Sequence, residues 1–469
     1  MHQIIFKLVL FEVILQINIF NIESPKIKVY NFYYRGIVME NFYFNSSTIF
    51  KYLRKVLNEI NKVYVDSGIR SAFLMKRYCE FYKIEPKKGA KLALLTLLKD
   101  IGVFYQDESI PKNNLAYRAA SSYTFLKNCS PLKDDSKPLL YYKAKYIENT
   151  ENEDYYYGLL ITLVNQVIMY DYQEYCYSEI EELLKHDTTN TLHPQQIRRM
   201  IKLLKNQPDI LEKLNTKGSS LYAYEVSSYI VKAGFSDEEL LGFIDTTNFS
   251  FEFHNHETLA HTITTASIAR DLAKLSRLTD GQTYEIYLAA LLHDIGKIRI
   301  PKAILCYPGR LNDEDFKLMR KHVEYSKEIL EGCFSYKIVE MASNHHEKLD
   351  GSGYPRGLRA IDLSIGDKIL AVSDVASALY CKRSYKESYD SDSIIEILSE
   401  NAELEKLDKR IVNHFIDNYE FIMENAKEKE NMVLAAYSDM KSEYQDLIES
   451  EALKELFNNP NAKNDIFDE

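Results

Sequence analysis

Along most of the chain, apolar residues recur at steps of three and four, the spacing that gathers them on one face of an α-helix. Helices are predicted over 48–63, 70–84, 90–101, 156–185, 195–214, 258–276, 283–295, 313–331 and 392–400. Period-two alternation, the mark of a half-buried strand, is scarce outside the N-terminal stretch. The chain has only 16 glycines and 11 prolines, and much of this punctuation falls at 296–311 and 351–366. That concentration predicts two functional loops and no flexible linker. The expected fold class is all-α.

The pattern also repeats. Ala93–Glu108 (ALLTLLKDIGVFYQDE) aligns with Tyr287–Lys302 (YLAALLHDIGKIRIPK) around a common Leu-Leu-x-Asp-Ile-Gly. Carried backward without a gap, the same offset pairs Asp66–Tyr78 with the helix that holds His261. Each copy then reads as a helix, a short break and an apolar helix ending in Asp-Ile-Gly. The first copy has exchanged the chemistry-bearing positions: Lys99 stands for His293, Val63 and Ser67 for Glu257 and His261, and Val103 for Lys297. More loosely, Asn165 stands for Asp374. The expected organisation is an N-terminal extension over 1–45, a degenerate helical domain over 46–215 and a connecting segment over 216–250. A second helical domain follows over 251–425, then a charged helical tail over 426–469.

Composition narrows the function. A 46% hydrophobic content allows a sizeable core across 469 residues. The formal net charge of −11 disfavours nucleic acid polymers and anionic lipid, while leaving room for a small anionic substrate in a locally positive pocket. Six scattered cysteines without a CxxC fit a reducing cytoplasm. Lys7 and Glu12 interrupt the apolar opening of the chain, so stable membrane insertion is not expected. That opening is read either as a genuine strand or helix, or as sequence preceding a true start at Met39.

The candidate chemistry lies in a run of metal-ligand residue types: Glu257, His261, His293, Asp294, His322, His345, His346 and Asp374, which takes in five of the eleven histidines. Imidazole with carboxylate suits iron, manganese or zinc. Glu257 and His261 are four apart and share a helix face. Adjacent residues such as His293 and Asp294, or His345 and His346, point about 100° apart on a helix, so they address two neighbouring ions more readily than one. A carboxylate with two oxygens can bridge such ions. Asp374 lies in an apolar helix, where a carboxylate is costly without a cation. Paired metals clamp an in-line displacement at phosphorus and activate a bridging hydroxide. Lys297 is placed to stabilise charge on the phosphoryl oxygens.

His293-Asp294-Ile295-Gly296-Lys297 and Gly353-Tyr354-Pro355 resemble the two signatures of the HD-GYP phosphodiesterases, a bacterial branch of the HD metal-dependent phosphohydrolases. The likeness covers about 252–420, through Asn344–Leu358 (NHHEKLDGSGYPRGL) and Asp374 to Arg383-Ser384-Tyr385-Lys386. It implies two tandem HD-type helical domains, the first degenerate, and a centre of two or three divalent ions, iron or manganese. His261, His293, Asp294, His322, His345, His346 and Asp374 would be ligands, and Glu257 the extra carboxylate for a third ion. Asp294 and Lys297 would carry the catalytic roles, while Tyr354, Arg383 and Lys386 would contact the substrate. The implied activity is signalling hydrolysis of cyclic di-GMP to linear pGpG, with onward cleavage to GMP left open. Another cyclic dinucleotide or phosphate ester is the alternative substrate, and a regulatory binding protein the alternative class; homodimerisation is left open. Two positions depart from the family pattern, Ser377 for a second aspartate and Ser384 for proline. The glycines at 351, 353 and 357 are expected to bring backbone close to the substrate.

Overall fold

The structure, a computed structural model, describes residues 46–102, 114–215, 220–252, 256–307, 309–381 and 388–459. Readings made for 1–45, for Arg383 and Lys386, and for the side chain of Glu257 fall outside the described residues. Among the described residues there are helices and turns and no strand, with a single isolated bridge between Asp350 and Arg359.

In chain order the helices are α1 (Ser46–Phe81), α2 (Pro86–Leu97), α3 (Leu115–Cys129), α4 (Glu153–Tyr172), α5 (Tyr177–Lys185), α6 (Pro194–Asn206), α7 (Asp209–Asn215), α8 (Ser220–Ile230) and α9 (Asp237–Glu252). They continue as α10 (His256–Leu275), α11 (Asp280–Leu292), α12 (Lys302–Leu305), α13 (Asp313–Arg320), α14 (His322–Leu330), α15 (Tyr336–Asn344) and α16 (Ile365–Tyr380). The last four are α17 (Ser391–Glu403), α18 (Lys409–Asp417), α19 (Tyr419–Glu449) and α20 (Glu451–Phe457).

Several boundaries differ from the periodicity reading, each for a local reason. The stretches 48–63 and 70–84 fall on one helix, α1, which ends at Phe81. The stretch 156–185 is broken after α4, where Glu174 adopts a positive φ of 61°. The stretch 195–214 breaks at Gln207, whose φ of −133° is the extended conformation favoured before Pro208. The segment expected to connect the domains, 216–250, is largely helical as α8 and α9.

The chain divides into two compact units. Among the described residues, unit 1 holds 61–243 and 438–459, and unit 2 holds 46–60 and 244–437. Unit 2 therefore draws the first part of α1 as well as the stretch expected to be the second domain. The reason is packing: Tyr52 is buried, its hydroxyl lies 2.9 Å from the Thr247 hydroxyl, and its ring meets Phe334 edge-on at 5.1 Å. Glu59 takes two hydrogen bonds of 2.6 Å from the Arg299 guanidinium.

In unit 2, α11 forms the centre, packed against α10, α15 and α16. Its Thr279 cap and Gln282 exchange side-chain-to-backbone hydrogen bonds, and Tyr284 through Leu292 are buried almost without a break. A second such box joins Ser364 and Asp367 at the start of α16, and Asp367 also accepts from the Asn344 amide at 3.0 Å, tying α16 to the end of α15.

Candidate metal centre

The predicted ligand residues come from the ends and middles of five helices of unit 2. His261 lies on α10, and His293 closes α11. Asp294 then leaves helical geometry, with φ −97° and ψ 3°, and opens a tight 3-10 turn over Ile295–Arg299. Gly296 sits where this turn crosses α14. A Cβ there would lie 2.0 Å from the His322 carbonyl oxygen and 2.4 Å from the Ser326 nitrogen, so a side chain has no room. Ser326 closes the crossing: its hydroxyl donates to the His293 carbonyl at 2.7 Å and accepts from the Gly296 N–H at 2.9 Å. His322, the first residue of α14, is thereby held beside Asp294. His345 and His346 follow the last turn of α15, and Asp374 projects from the middle of α16.

The two carboxylates face two ways. Asp294 Oδ2 lies 3.1 Å from His293 Nε2 and 3.9 Å from His261 Nε2. Its Oδ1 lies 3.3 Å from His322 Nε2 and 3.9 Å from His345 Nε2. Asp374 does likewise, with Oδ1 3.1 Å from His261 Nε2 and 3.8 Å from His293 Nε2, and Oδ2 3.4 Å from His346 Nδ1. Two donor groups result, His261–His293–Asp294 and His322–His345–His346, with the ligand atoms of each within 4.8 Å of one another.

These atoms fit metal ions, and the hydrogen bonding says why. His293, His322 and His345 each set Nδ1 2.7 Å from a backbone carbonyl, of Ala290, Met319 and Ala342 respectively. A carbonyl only accepts, so Nδ1 carries the hydrogen and the Nε2 lone pair points inward. His322 Nε2 and His345 Nε2 consequently face each other at 3.3 Å. Burial lowers His322 to about 3 and His345 well below the ordinary value, so no proton sits between them at neutral pH. Burial also lowers His346, to about 4. His293 Nε2 and Asp294 Oδ1 are buried without a hydrogen-bond partner. Converging, buried, unpaired lone pairs are costly unless a cation takes them.

The remaining groups carry charge. Burial alone would raise Asp294, but His293 and the Lys297 ammonium outweigh it and hold the carboxyl well below its usual range. Burial likewise would raise Asp374, and the hydrogen bond from His261 and the neighbouring His346 hold it down. Burial would lower His293, yet Asp294 overrides it and raises that ring. Lys297 Nζ lies 2.5 Å from Asp294 Oδ2. Tyr354 borders the site, its ring 4.8 Å from that of His346 and its N–H donating to the His346 carbonyl at 3.2 Å.

Three contributors escaped the sequence reading. Ser377, noted only as a departure, has its hydroxyl 3.0 Å from His261 Nδ1 and 3.1 Å from the His261 carbonyl, orienting that ring. Glu347, buried beside the paired histidines, accepts from Arg356 N at 2.7 Å and Leu358 N at 2.9 Å, folding the loop that carries Tyr354. Arg320 lays its guanidinium over the Tyr354 ring at 4.2 Å. The loop glycines also meet needs of the loop's own backbone. Gly353 lets backbone press on Glu347 and Lys348, where a Cβ would come within 2.5 Å of both residues, and Gly351 and Gly357 take positive φ of 83° and 66°.

The profile of the HD domain family matches residues 244–411. Those residues form an HD domain. In sequence the chain is similar to 3'3'-cGAMP-specific phosphodiesterase 1 of Vibrio cholerae, 35% identical over 162 residues that make up 34% of this chain and 38% of that protein. It is also similar to a cyclic di-GMP phosphodiesterase of Thermotoga maritima, 37% identical over 153 residues, or 32% of this chain and 42% of that protein. The match thus spans less than half the length of these curated relatives. Beyond the HD domain, the fold resembles the crystal structure of a cyclic GMP-AMP-specific phosphodiesterase from V. cholerae, V-cGAP3. That likeness covers 80% of this chain and 97% of the other at a TM-score of 0.50 and 17% identity, and it speaks for the helical fold alone. No helix among the described residues is long and apolar enough to cross a membrane.

Proposed function

We propose that the HD domain is a metal-dependent phosphodiesterase that opens a cyclic dinucleotide. The observation that carries this reading is the division of Asp294, one oxygen facing His261 and His293 and the other facing His322 and His345. Such a carboxylate can serve two adjacent ions, with Asp374 spanning the same pair of donor groups. His261, His293, Asp294, His322, His345, His346 and Asp374 would hold iron or manganese, which supplies Lewis acidity for attack on phosphorus. Glu257 is the candidate extra ligand for a third ion. Lys297, now on Asp294, is within reach of developing phosphoryl charge, while Tyr354 borders the site with Arg383 and Lys386 as further substrate contacts.

The substrate reading is cyclic di-GMP, opened to linear pGpG. A second reading, 3'3'-cGAMP, is favoured by the named specificity of the Vibrio relative. The test is product formation from each dinucleotide by anaerobically purified protein supplied with ferrous iron or manganese, beside Asp294→Ala. Linear product from wild type alone is the expected result. Equal turnover by both proteins would place the activity elsewhere. Six free cysteines, none in a disulfide, support a cytoplasmic setting.

We further propose that unit 1 contains a ligand-stripped copy of the same construction. Its support is a matching clasp: the Ser122 hydroxyl donates to the Lys99 carbonyl at 2.9 Å and accepts from the Gly102 N–H at 2.9 Å. This is the pattern that Ser326 makes with His293 and Gly296. By this correspondence Lys99 stands for His293, Asp100 for Asp294 and Arg118 for His322. Lys99 Nζ lies 2.7 Å from Asp100 Oδ2, and Arg118 lies 3.0 Å from Asp100 Oδ1. Two buried side-chain cations thus satisfy the two carboxylate oxygens that, in unit 2, face the imidazoles. Such a copy would act as a structural or regulatory element without metal chemistry.

A further inference from the structure

Arg320 is not among the candidate ligands, yet it stands two residues before one of them, His322, and lies against the Tyr354 ring. It is the last residue of α13, and the first residue of α14, His322, follows after Lys321 alone. The guanidinium lies 4.2 Å from the Tyr354 ring centroid, and that ring is 4.8 Å from the ring of His346. The charge at Arg320 reaches the phenol, where it opposes the raising effects of burial and of the Asp374 and Asp294 carboxylates. Among the described residues Arg320 makes no ion pair, although unit 2 pairs many of its other cations, including Lys297, Arg299, Lys327 and Arg356. A half-buried planar cation that has no ion pair among the described residues and stacks beside the His/Asp cluster can offer its N–H edge to an incoming anion.

We propose that Arg320 binds the second, non-scissile phosphate of the cyclic dinucleotide. This rests on the substrate class proposed above. A cyclic dinucleotide carries two phosphodiesters. When one lies at the His/Asp cluster, the other must find a partner away from it. A guanidinium one ring removed from His346, stacked on Tyr354 and joined to His322 through Lys321 alone, offers a bidentate match to two phosphate oxygens. Tyr354 keeps that fork oriented, so little side-chain freedom is lost on binding. Arg320 would thereby distinguish two-phosphate substrates from simple diesters that present only one.

The experiment compares wild type, Arg320→Ala and Arg320→Lys on cyclic di-GMP, 3'3'-cGAMP and bis(4-nitrophenyl) phosphate, with metal content measured on each protein. Arg320→Ala is expected to raise KM for the cyclic dinucleotide about tenfold to hundredfold, the usual worth of a charge-assisted hydrogen bond. Its kcat should change little, and its metal content and its rate on the one-phosphate diester should stay within twofold of wild type. Arg320→Lys should recover part of the affinity, since it keeps charge and loses the fork. An unchanged KM in Arg320→Ala, or a parallel loss on both substrate types, overturns the assignment and leaves the phosphodiesterase reading standing. Wild-type protein that cleaves the simple diester and no cyclic dinucleotide removes the substrate reading, and this assignment with it.

Discussion

Gly296→Ala tests how the HD turn builds the site. The added Cβ would lie 2.0 Å from the His322 carbonyl oxygen, 2.4 Å from the Ser326 nitrogen and 2.8 Å from the Ser326 hydroxyl. The first two are backbone atoms of α14, so no side-chain rotation relieves them. Since real Cβ contacts are essentially never under 3.0 Å, the turn and α14 must separate by about 1 Å; overpacking of this type costs about 1–3 kcal/mol. The same displacement moves His322 away from Asp294, now 3.3 Å apart, when metal-ligand distances tolerate only about 0.2 Å. We expect loss of at least one bound ion per chain and a roughly hundredfold fall in turnover, measured by elemental analysis and steady-state kinetics. Gly102→Ala is the control, because its Cβ would meet Ser122 N at 2.4 Å and the Arg118 carbonyl at 2.9 Å. It should lower stability by a comparable amount while the ions bound in unit 2 remain. Gly296→Ala protein with full metal content and full rate would refute the reasoning.

Other substitutions probe the supporting contacts. Ser377→Ala leaves His261 Nδ1 without its hydroxyl partner and should weaken metal binding about 10–100-fold, read by competition with a chelator. Lys99→Met leaves Asp100 buried with Arg118 as its remaining cation and should cost about 3 kcal/mol in a denaturant titration, with metal content unchanged. Glu347→Gln keeps the size of the side chain but replaces one acceptor oxygen by a donor facing a backbone N–H. It should loosen the loop of Tyr354, raising KM with little change in the melting temperature. A 244–437 fragment lacking residues 46–60 would uncover Phe334 and Arg299. Its melting temperature should fall below that of the same fragment extended by those residues, and equal values would argue against their place in unit 2.

The clustering of the candidate ligands was legible in sequence because coordination demands particular residue types. His261, His293, Asp294, His322, His345, His346 and Asp374 are brought together, as their spacing and their resemblance implied. The all-helical class was equally legible, since three-and-four periodicity survives in nearly every buried helix. Supporting residues were harder to read, for a physical reason. A serine that orients an imidazole, or a glutamate that folds a loop through backbone N–H groups, looks in sequence like any polar residue. Arg320 is legible only once Tyr354 is seen beneath it. Boundaries failed where φ and ψ, not hydrophobicity, end a helix, as at Gln207 and Glu174. The attachment of residues 46–60 to unit 2 depends on Tyr52 and Glu59 reaching distant partners, which no local pattern encodes.

The Lys99–Asp100–Arg118 cluster has a consequence for life under metal scarcity. Unit 1 holds within its own covalent structure the positive charge that the unit 2 cluster would draw from its surroundings. Chelation should therefore divide the thermal transition of the chain, lowering the part due to unit 2 while the remainder melts where it did before. If the unit 2 cluster takes metal ions as proposed, unit 1 would keep its fold when those ions are withdrawn.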